Sequence, residues 1–103
     1  MKKFVIGWVT FKPEKRDELM EAIQDFAAAT RQEKGCVFFE INLSREQPNC
    51  TVIAECFQSG EAHDEHHKTP HAKAFFEKTA GILVEGRFEN ILSDNVVADI
   101  VKF

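Results

Sequence analysis

The chain has 103 residues, 44% of them hydrophobic and 29% charged, which is enough for one soluble domain with a modest core over residues 1–103. Its formal net charge of -4 argues against nucleic acid and against anionic membranes as partners, because both require a clustered positive field. The three cysteines Cys36, Cys50 and Cys56 have no Cys-x-x-Cys spacing, so they suit a reducing compartment better than a disulfide framework.

The N-terminal segment is predicted to be a strand rather than a targeting signal. Lys2 and Lys3 precede an apolar run, as in a secretion signal, but Lys12-Pro13 interrupts the run and no small-residue cleavage pattern follows. The run is also too short to span a bilayer. We therefore expect a first strand over residues 4–11 and a cytoplasmic location.

The remaining elements follow from periodicity and from capping residues. Apolar residues at helical spacing predict an amphipathic helix over residues 14–33, ended by Gly35. Two apolar runs joined by a polar turn predict a hairpin of strands 36–43 and 50–57. Ser59 is a candidate N-cap for a helix over residues 60–67. Thr69-Pro70 restarts a helix that Gly81 ends, and strands are predicted over residues 87–92 and 96–103.

This β-α-β-β-α-β order with a tail strand is typical of the α+β ferredoxin-like fold, in which two helices cover one face of an antiparallel sheet. Apolar residues alternate onto both faces of the predicted strands, so the second face also requires a partner surface. A second copy of the chain is the simplest partner. We therefore expect a homodimer, with the C-terminal strand helping to join the subunits.

All four histidines lie within the nine positions from 63 to 71, around the Thr69-Pro70 step. Imidazole titrates near neutral pH and is the side chain that most often moves protons. His67 and His71 are the first candidates for catalytic bases that line a pocket, although both could instead cap helix ends. His63 and His66 are expected to be solvated.

Glu55 is the second catalytic candidate, because it lies in an apolar strand and shares a face with Ile53 and Phe57. A buried carboxylate has a raised pKa, which suits a general base. The alternative is a structural salt bridge to Lys73 or Arg87. Five further residues are candidates for contacts with a substrate: Trp8, Asn42, Phe57, Phe75 and Asn90.

A metal site is weighed and not expected. His63, His67 and Glu55 could supply a facial set of ligands. However, the spacing His63-Asp-Glu-His66 differs from the His-Glu-x-x-His pattern that places two ligands and a base on one helix.

The run from Glu55-Cys-Phe57 through Ser59, Glu61-Ala-His63, His67, Thr69-Pro70-His71 and Phe75 resembles the core signature of the antibiotic biosynthesis monooxygenase family. The resemblance implies a dimeric α+β barrel with a cavity between sheet and helices. It also implies oxidation by molecular oxygen without metal, haem or flavin. Two departures are Phe57, where members often carry tryptophan, and the absence of tyrosine, which removes any mechanism that needs a phenolic side chain.

The expected function is a cofactor-independent monooxygenase of a quinol or polycyclic phenol, with a small aromatic substrate and oxygen as its partners. In this reading Glu55, His67 or His71 removes the phenolic proton, and Asn42 or Trp8 holds the developing oxyanion. Two alternatives stay open. One is an isomerase of a small phosphorylated or sugar-like metabolite, and the other is a dimeric binding module without turnover.

Overall fold

The computed structural model describes residues 1–102, and the chain forms one antiparallel sheet with three helices on one face. The strands are β1 (Lys2–Phe11), β2 (Cys36–Leu43), β3 (Cys50–Phe57) and β4 (Leu83–Ser93). The helices are α1 (Arg16–Arg31), α2 (Gly60–His67) and α3 (Pro70–Lys78), and a short 3-10 turn, Pro13–Lys15, precedes α1. The order of strands in the sheet is β2-β3-β1-β4, which is the predicted ferredoxin-like topology.

Local capping explains why α2 and α3 are separate helices. The Ser59 hydroxyl accepts the backbone N–H of Ala62 at 3.1 Å and begins α2. The Thr69 hydroxyl accepts the N–H of Ala72 at 3.2 Å and begins α3, and it also donates to the carbonyl of His66 at 2.8 Å. Both predicted helix starts are therefore confirmed, and Thr69 joins the end of one helix to the start of the next.

The core lies between α1, α3 and the helix-facing side of the sheet. Leu19, Phe26 and Phe39 are buried there, and the rings of Phe26 and Phe39 meet edge to face with centroids 5.6 Å apart. Phe26 also stacks on Phe75 at 4.5 Å. These contacts set the distances of α1 and α3 from each other and from the sheet.

The prediction of a C-terminal strand over residues 96–103 is wrong for residues 96–102, which form no strand. Phe103, the last residue of that prediction, lies outside the described residues. Val96, Val97, Ile100 and Val101 are exposed. A strand requires a neighbour to pair with its backbone groups, and this segment has none among the described residues. The fourth strand is longer than predicted, because all of β1 pairs with Leu83–Ser93.

Within residues 1–102, no helix has both the length and the apolar character needed to cross a membrane.

Candidate functional site

A cavity of about 480 Å³ lies between the sheet and the three helices. Its apolar lining is Val5, Val9, Leu19, Ile23, Phe26, Phe39, Ile53, Phe75, Phe76, Leu83, Val84, Gly86 and Phe88. Its polar lining is Thr51, Glu55, His63, His66, His67, Glu85 and Asn90. The volume is within the range of small-molecule pockets, and an apolar wall with few polar groups is their usual composition.

Helix α2 supplies three of the polar groups. His63 and His66 are one helical turn apart and face the sheet, so they are only 8% and 2% exposed. The expectation that both are solvated is therefore wrong, because the face of a short polar helix that packs inward cannot be identified from a histidine run. His67 lies at the edge of the cavity, and part of its ring reaches solvent.

Glu55 lies on β3 opposite α2 and is buried, with 8% exposure. Its Oε1 atom is 3.5 Å from Nε2 of His63, so the ion-pair partner of this carboxylate is a histidine and not Lys73 or Arg87 among the described residues. Phe57 is fully buried, and its ring packs against the imidazoles of His63 and His66 at 5.2 and 4.9 Å. Phe57 thus supports the histidines from behind and does not line the cavity.

The surroundings of His67 favour its neutral form. Partial burial lowers the pKa of His67 from its ordinary value of 6.5, and a positive charge on His63 or His66 lowers it further. Glu55 and Asp64 oppose this effect. Its ring contacts His63 edge-on with centroids 4.5 Å apart. A neutral imidazole beside a buried carboxylate can accept a proton near neutral pH.

A second cluster joins α2 and α3 to the loop after α1 through one carboxylate. Oε2 of Glu33 lies 2.8 Å from Nδ1 of His66 and 2.6 Å from Nε2 of His71. These three ligand atoms lie within 4.8 Å of one another, close enough for a metal ion. Each already has a hydrogen-bond partner in the cluster, so the arrangement is complete as a hydrogen-bonded network.

The structure brings together only part of the predicted set. Glu55, His67, Phe75 and Asn90 line the cavity. His71 lies outside it, on a smaller cavity of about 80 Å³, because its ring turns toward Glu33.

Trp8 and Asn42 lie on the opposite face of the sheet from the cavity. Both flank Val52 in the strand register, whereas Val9 and Ile53, the next residues along β1 and β3, line the cavity. The Trp8 ring instead contacts the Arg87 guanidinium at 5.3 Å.

Sequence reasoning missed Glu33 and Phe88. Nothing in the spacing of Glu33 connects it to histidines more than 30 positions later. Phe88 lies over two glycines, and a Cβ added to Gly7 or Gly86 would meet its ring at 2.6 or 2.7 Å. Glycines in two strands could have indicated that a large ring lies over them. However, only the strand register shows that Gly7 and Phe88 are neighbours.

Comparisons with known proteins agree with this architecture. An uncharacterized protein of Synechocystis sp. is 28% identical over 81 residues, and the match covers 79% of this chain. The chain spans about half the length of that curated relative, 55%.

Solved structures from several organisms share the fold. A presumed antibiotic biosynthesis monooxygenase from Nitrosomonas europaea has a TM-score of 0.86 at 18% identity, covering 94% of each chain. A presumed member from Bacteroides thetaiotaomicron has a TM-score of 0.86 at 19% identity, covering 97% of this chain and 96% of its own. A Mycobacterium tuberculosis protein has a TM-score of 0.86 at 21% identity, covering 95% and 100%.

At these identities the structural likeness shows the fold alone. The family assignment comes from the sequence model of the antibiotic biosynthesis monooxygenases, which matches residues 4–78, more than half of the chain. The chain therefore belongs to the antibiotic biosynthesis monooxygenase family.

Proposed function

We propose that this protein is a cofactor-independent monooxygenase that oxidises a quinol or polycyclic phenol with molecular oxygen. The observation that carries the proposal is the cavity of about 480 Å³, whose walls are aromatic and aliphatic and whose acid–base groups come chiefly from α2 and β3. A flat aromatic substrate suits the apolar walls, and its hydroxyl suits the titratable groups.

The reaction has the following balance. The base takes the phenolic proton, and the electron pair of the O–H bond stays on the substrate oxygen. The anion passes one electron to oxygen, and the two radicals combine to form a new carbon–oxygen bond. The O–O bond and the C–H bond at the same carbon then break, so that one oxygen atom remains on the substrate as a carbonyl. The other oxygen atom leaves as water with the C–H proton and the proton held by the base, and all four electrons come from the substrate. The apolar walls keep bulk water away from the radicals.

The cavity lining favours this reaction over the phosphorylated-substrate alternative. Among residues 1–102, no lysine or arginine lines the cavity. Arg87 lies on the opposite face with Trp8, and Lys68 and Lys73 are exposed. A bound phosphate dianion would face Glu55 and Glu85 without a lysine or arginine partner, which disfavours binding.

We also propose that a second copy of the chain covers the open face of the sheet. Ile6, Phe38 and Ile91 are exposed there, and Phe4 packs beside Phe38 with ring centroids 6.3 Å apart. A face of this composition is typical of homodimer interfaces. The exposed apolar residues of the C-terminal segment would add to the same interface.

The test is oxygen consumption by metal-stripped protein with a panel of hydroquinones, naphthohydroquinones and anthrones. We expect uptake above the spontaneous rate, with a marked loss in Glu55→Gln and in His67→Ala. Glu65→Gln is the matched control, because Glu65 lies on the same helix as His67 but is exposed and pairs with Lys68. Uptake equal to the spontaneous rate for every substrate would contradict the proposal.

A further inference from the structure

We propose that His66 is the residue that accepts the substrate proton, and that Glu33 and His71 position it for this role. The identity of the proton donor, a substrate hydroxyl, rests on the proposed function. The positions of the three side chains do not depend on that function. The step breaks the phenolic O–H bond and forms a bond between the proton and Nε2 of His66. The electron pair stays on the phenolate, and the resulting imidazolium later returns the proton to the reduced oxygen that leaves as water.

The hydrogen bonds of Glu33 define which nitrogen of His66 carries a proton. An ionised carboxylate can only accept, so Nδ1 of His66 and Nε2 of His71 must both donate to the same oxygen. Neutral His66 therefore has its proton on Nδ1 and a bare lone pair on Nε2. A base requires that lone pair, and the carboxylate behind the ring stabilises the imidazolium that forms.

The side chain with the bare nitrogen lines the cavity. His66 is among the cavity-lining residues although its whole residue is only 2% exposed. Among residues 1–102, no side-chain nitrogen or oxygen is both buried and without a hydrogen-bond partner. The hydrogen bond of the ring is made by Nδ1, so Nε2 has no partner and cannot be fully buried; it belongs to the small exposed fraction of the residue. A substrate hydroxyl in the cavity would donate a hydrogen bond to Nε2.

Packing prevents the ring from turning over. The imidazole lies among Phe26, Phe39 and Phe57, with ring centroids 5.4, 6.1 and 4.9 Å away. These aromatic rings belong to α1, β2 and β3, so the ring is enclosed by three elements. An enclosed ring in one tautomer is a preorganised acceptor.

The backbone holds both ends of the Glu33–His66 contact in place. A Cβ added to Gly35 would lie 2.6 Å from Cβ of Ala62, so the loop that carries Glu33 touches α2 directly. Gln58 N–H donates to the Gly35 carbonyl at 2.8 Å, which ties the same loop to the start of α2. His71 then fixes Glu33 from the far side, as outer partners of active-site imidazoles do.

The other candidates have less defined geometry. His63 directs Nε2 toward Glu55 at 3.5 Å, which is too long for a strong hydrogen bond. His67 reaches solvent at the cavity edge. Only His66 combines a fixed tautomer, an enclosed ring and a place in the cavity wall.

The first experiment measures the tautomer without any reaction. Nitrogen-15 NMR of histidine-labelled wild-type protein should show His66 with a protonated Nδ1 and a bare Nε2, and Glu33→Met, which has no acceptor oxygen, should lose that preference. Finding the proton of neutral His66 on Nε2 in the wild-type protein would overturn the proposal, whatever the enzyme does.

The second experiment follows proton transfer with 4-nitrophenol, whose anion absorbs visible light. Below the pKa of the free phenol, adding wild-type protein or Glu65→Gln should produce nitrophenolate, and adding His66→Gln should not. This readout needs no oxygen, so the role of His66 and the proposed oxygenation can fail separately. Nitrophenolate formation that survives in a folded His66→Gln variant would overturn the proposal.

The third experiment applies to turnover of the best substrate. His66→Gln should lower kcat/KM by about 100-fold or more, as expected for loss of a general base. Glu33→Gln should lower kcat and leave KM nearly unchanged, because the ring loses its ionised partner while the cavity wall stays in place. A raised KM with an unchanged kcat would contradict the positioning role of Glu33.

Discussion

The imidazole rings of α2 and α3 lie close enough to affect one another's protonation. His63 and His67 are 4.5 Å apart between ring centroids, and His66 and His67 are 5.3 Å apart. Two carboxylates balance this cluster, Glu55 beside His63 and Glu33 beside His66. The site therefore contains two carboxylate–imidazole pairs on adjacent turns of one short helix.

His67 provides a direct test of this electrostatic arrangement. Its NMR titration midpoint should lie below 6.5, because partial burial and the neighbouring imidazolium charges disfavour its charged form. Glu55→Gln should lower the midpoint further, since the Glu55 charge raises the pKa of His67. Glu77→Gln, on the exposed side of α3, is the control and should leave it unchanged. A midpoint above 6.5 would contradict the arrangement.

The lowered pKa also has a consequence for stability. A histidine with a lower pKa in the folded state binds fewer protons there than in the unfolded chain, so its contribution to stability is lost as pH falls below 6.5. Above that value both states are neutral and the contribution is complete.

The residues of the site were only partly predictable. Glu55 is buried and paired, as a carboxylate among apolar strand residues must be. Its partner was not predictable, because His63 could be assigned to the packed face only once α2 was placed on the sheet. The role of Glu33 in the site could not be predicted either, since its two hydrogen bonds join residues far apart in sequence.

At the scale of elements, local signals were the most reliable. Ser59, Thr69 and Pro70 act through their own neighbours in the chain, and the two helix starts lie where they predict. The prediction of a C-terminal strand failed because strand formation depends on a neighbouring strand and not on composition alone.

Thr69 is the most informative of these local signals, since its hydroxyl both caps α3 and bonds the last turn of α2. Thr69→Ala should lower the free energy of unfolding by about 1 kcal/mol, the usual cost of a lost cap. The carbonyl of His66 would keep only the backbone N–H of Thr69, at 3.3 Å, as its donor from this residue. Thr69→Ser keeps the hydroxyl and should restore the stability. Equal melting temperatures for the alanine and wild-type proteins would contradict this account.

The contact between β1 and β4 determines the shape of the cavity. The Phe88 ring lies over Gly7, and a Cβ at Gly7 would come within 2.6 Å of it. Gly7→Ala should push the ring away and weaken the binding of polycyclic phenols more than that of single-ring phenols, as measured by calorimetry. Adding Phe88→Ala should restore binding of the larger ligands.

Gly60→Ala is the matched control for this test, because its added Cβ would meet only Leu92 at 3.9 Å. Unchanged affinities for large ligands in Gly7→Ala would show that Phe88 does not shape the cavity.

For the whole molecule, the main question is what covers the outer face of the sheet. A dimer interface of standard size buries about 800 Å² on each partner, and a charge at its centre is strongly unfavourable. Ile6→Lys should therefore convert a dimer to a monomer in light scattering at micromolar concentration. Leu43→Lys is the matched control, since Leu43 is 40% exposed against 39% for Ile6 but lies on the helix-facing side.

A wild-type protein that is monomeric in the same measurement would contradict the proposed dimer. A dimer that persists in Ile6→Lys and dissociates in Leu43→Lys would place the interface on the other side of the sheet.

The position of β1 in the sheet also bears on how the chain reaches its native state. This strand is made early, yet its neighbours are β3, where Thr10 meets Cys50, and β4, where Lys2 meets Ser93. Pairing such distant positions closes long loops, and the chain loses conformational entropy before stabilising contacts form. Folding is therefore slow compared with that of a helical bundle. Until β4 has been synthesised, one edge of β1 stays unpaired, and a nascent chain in the cell would expose that edge to chaperones or to other chains.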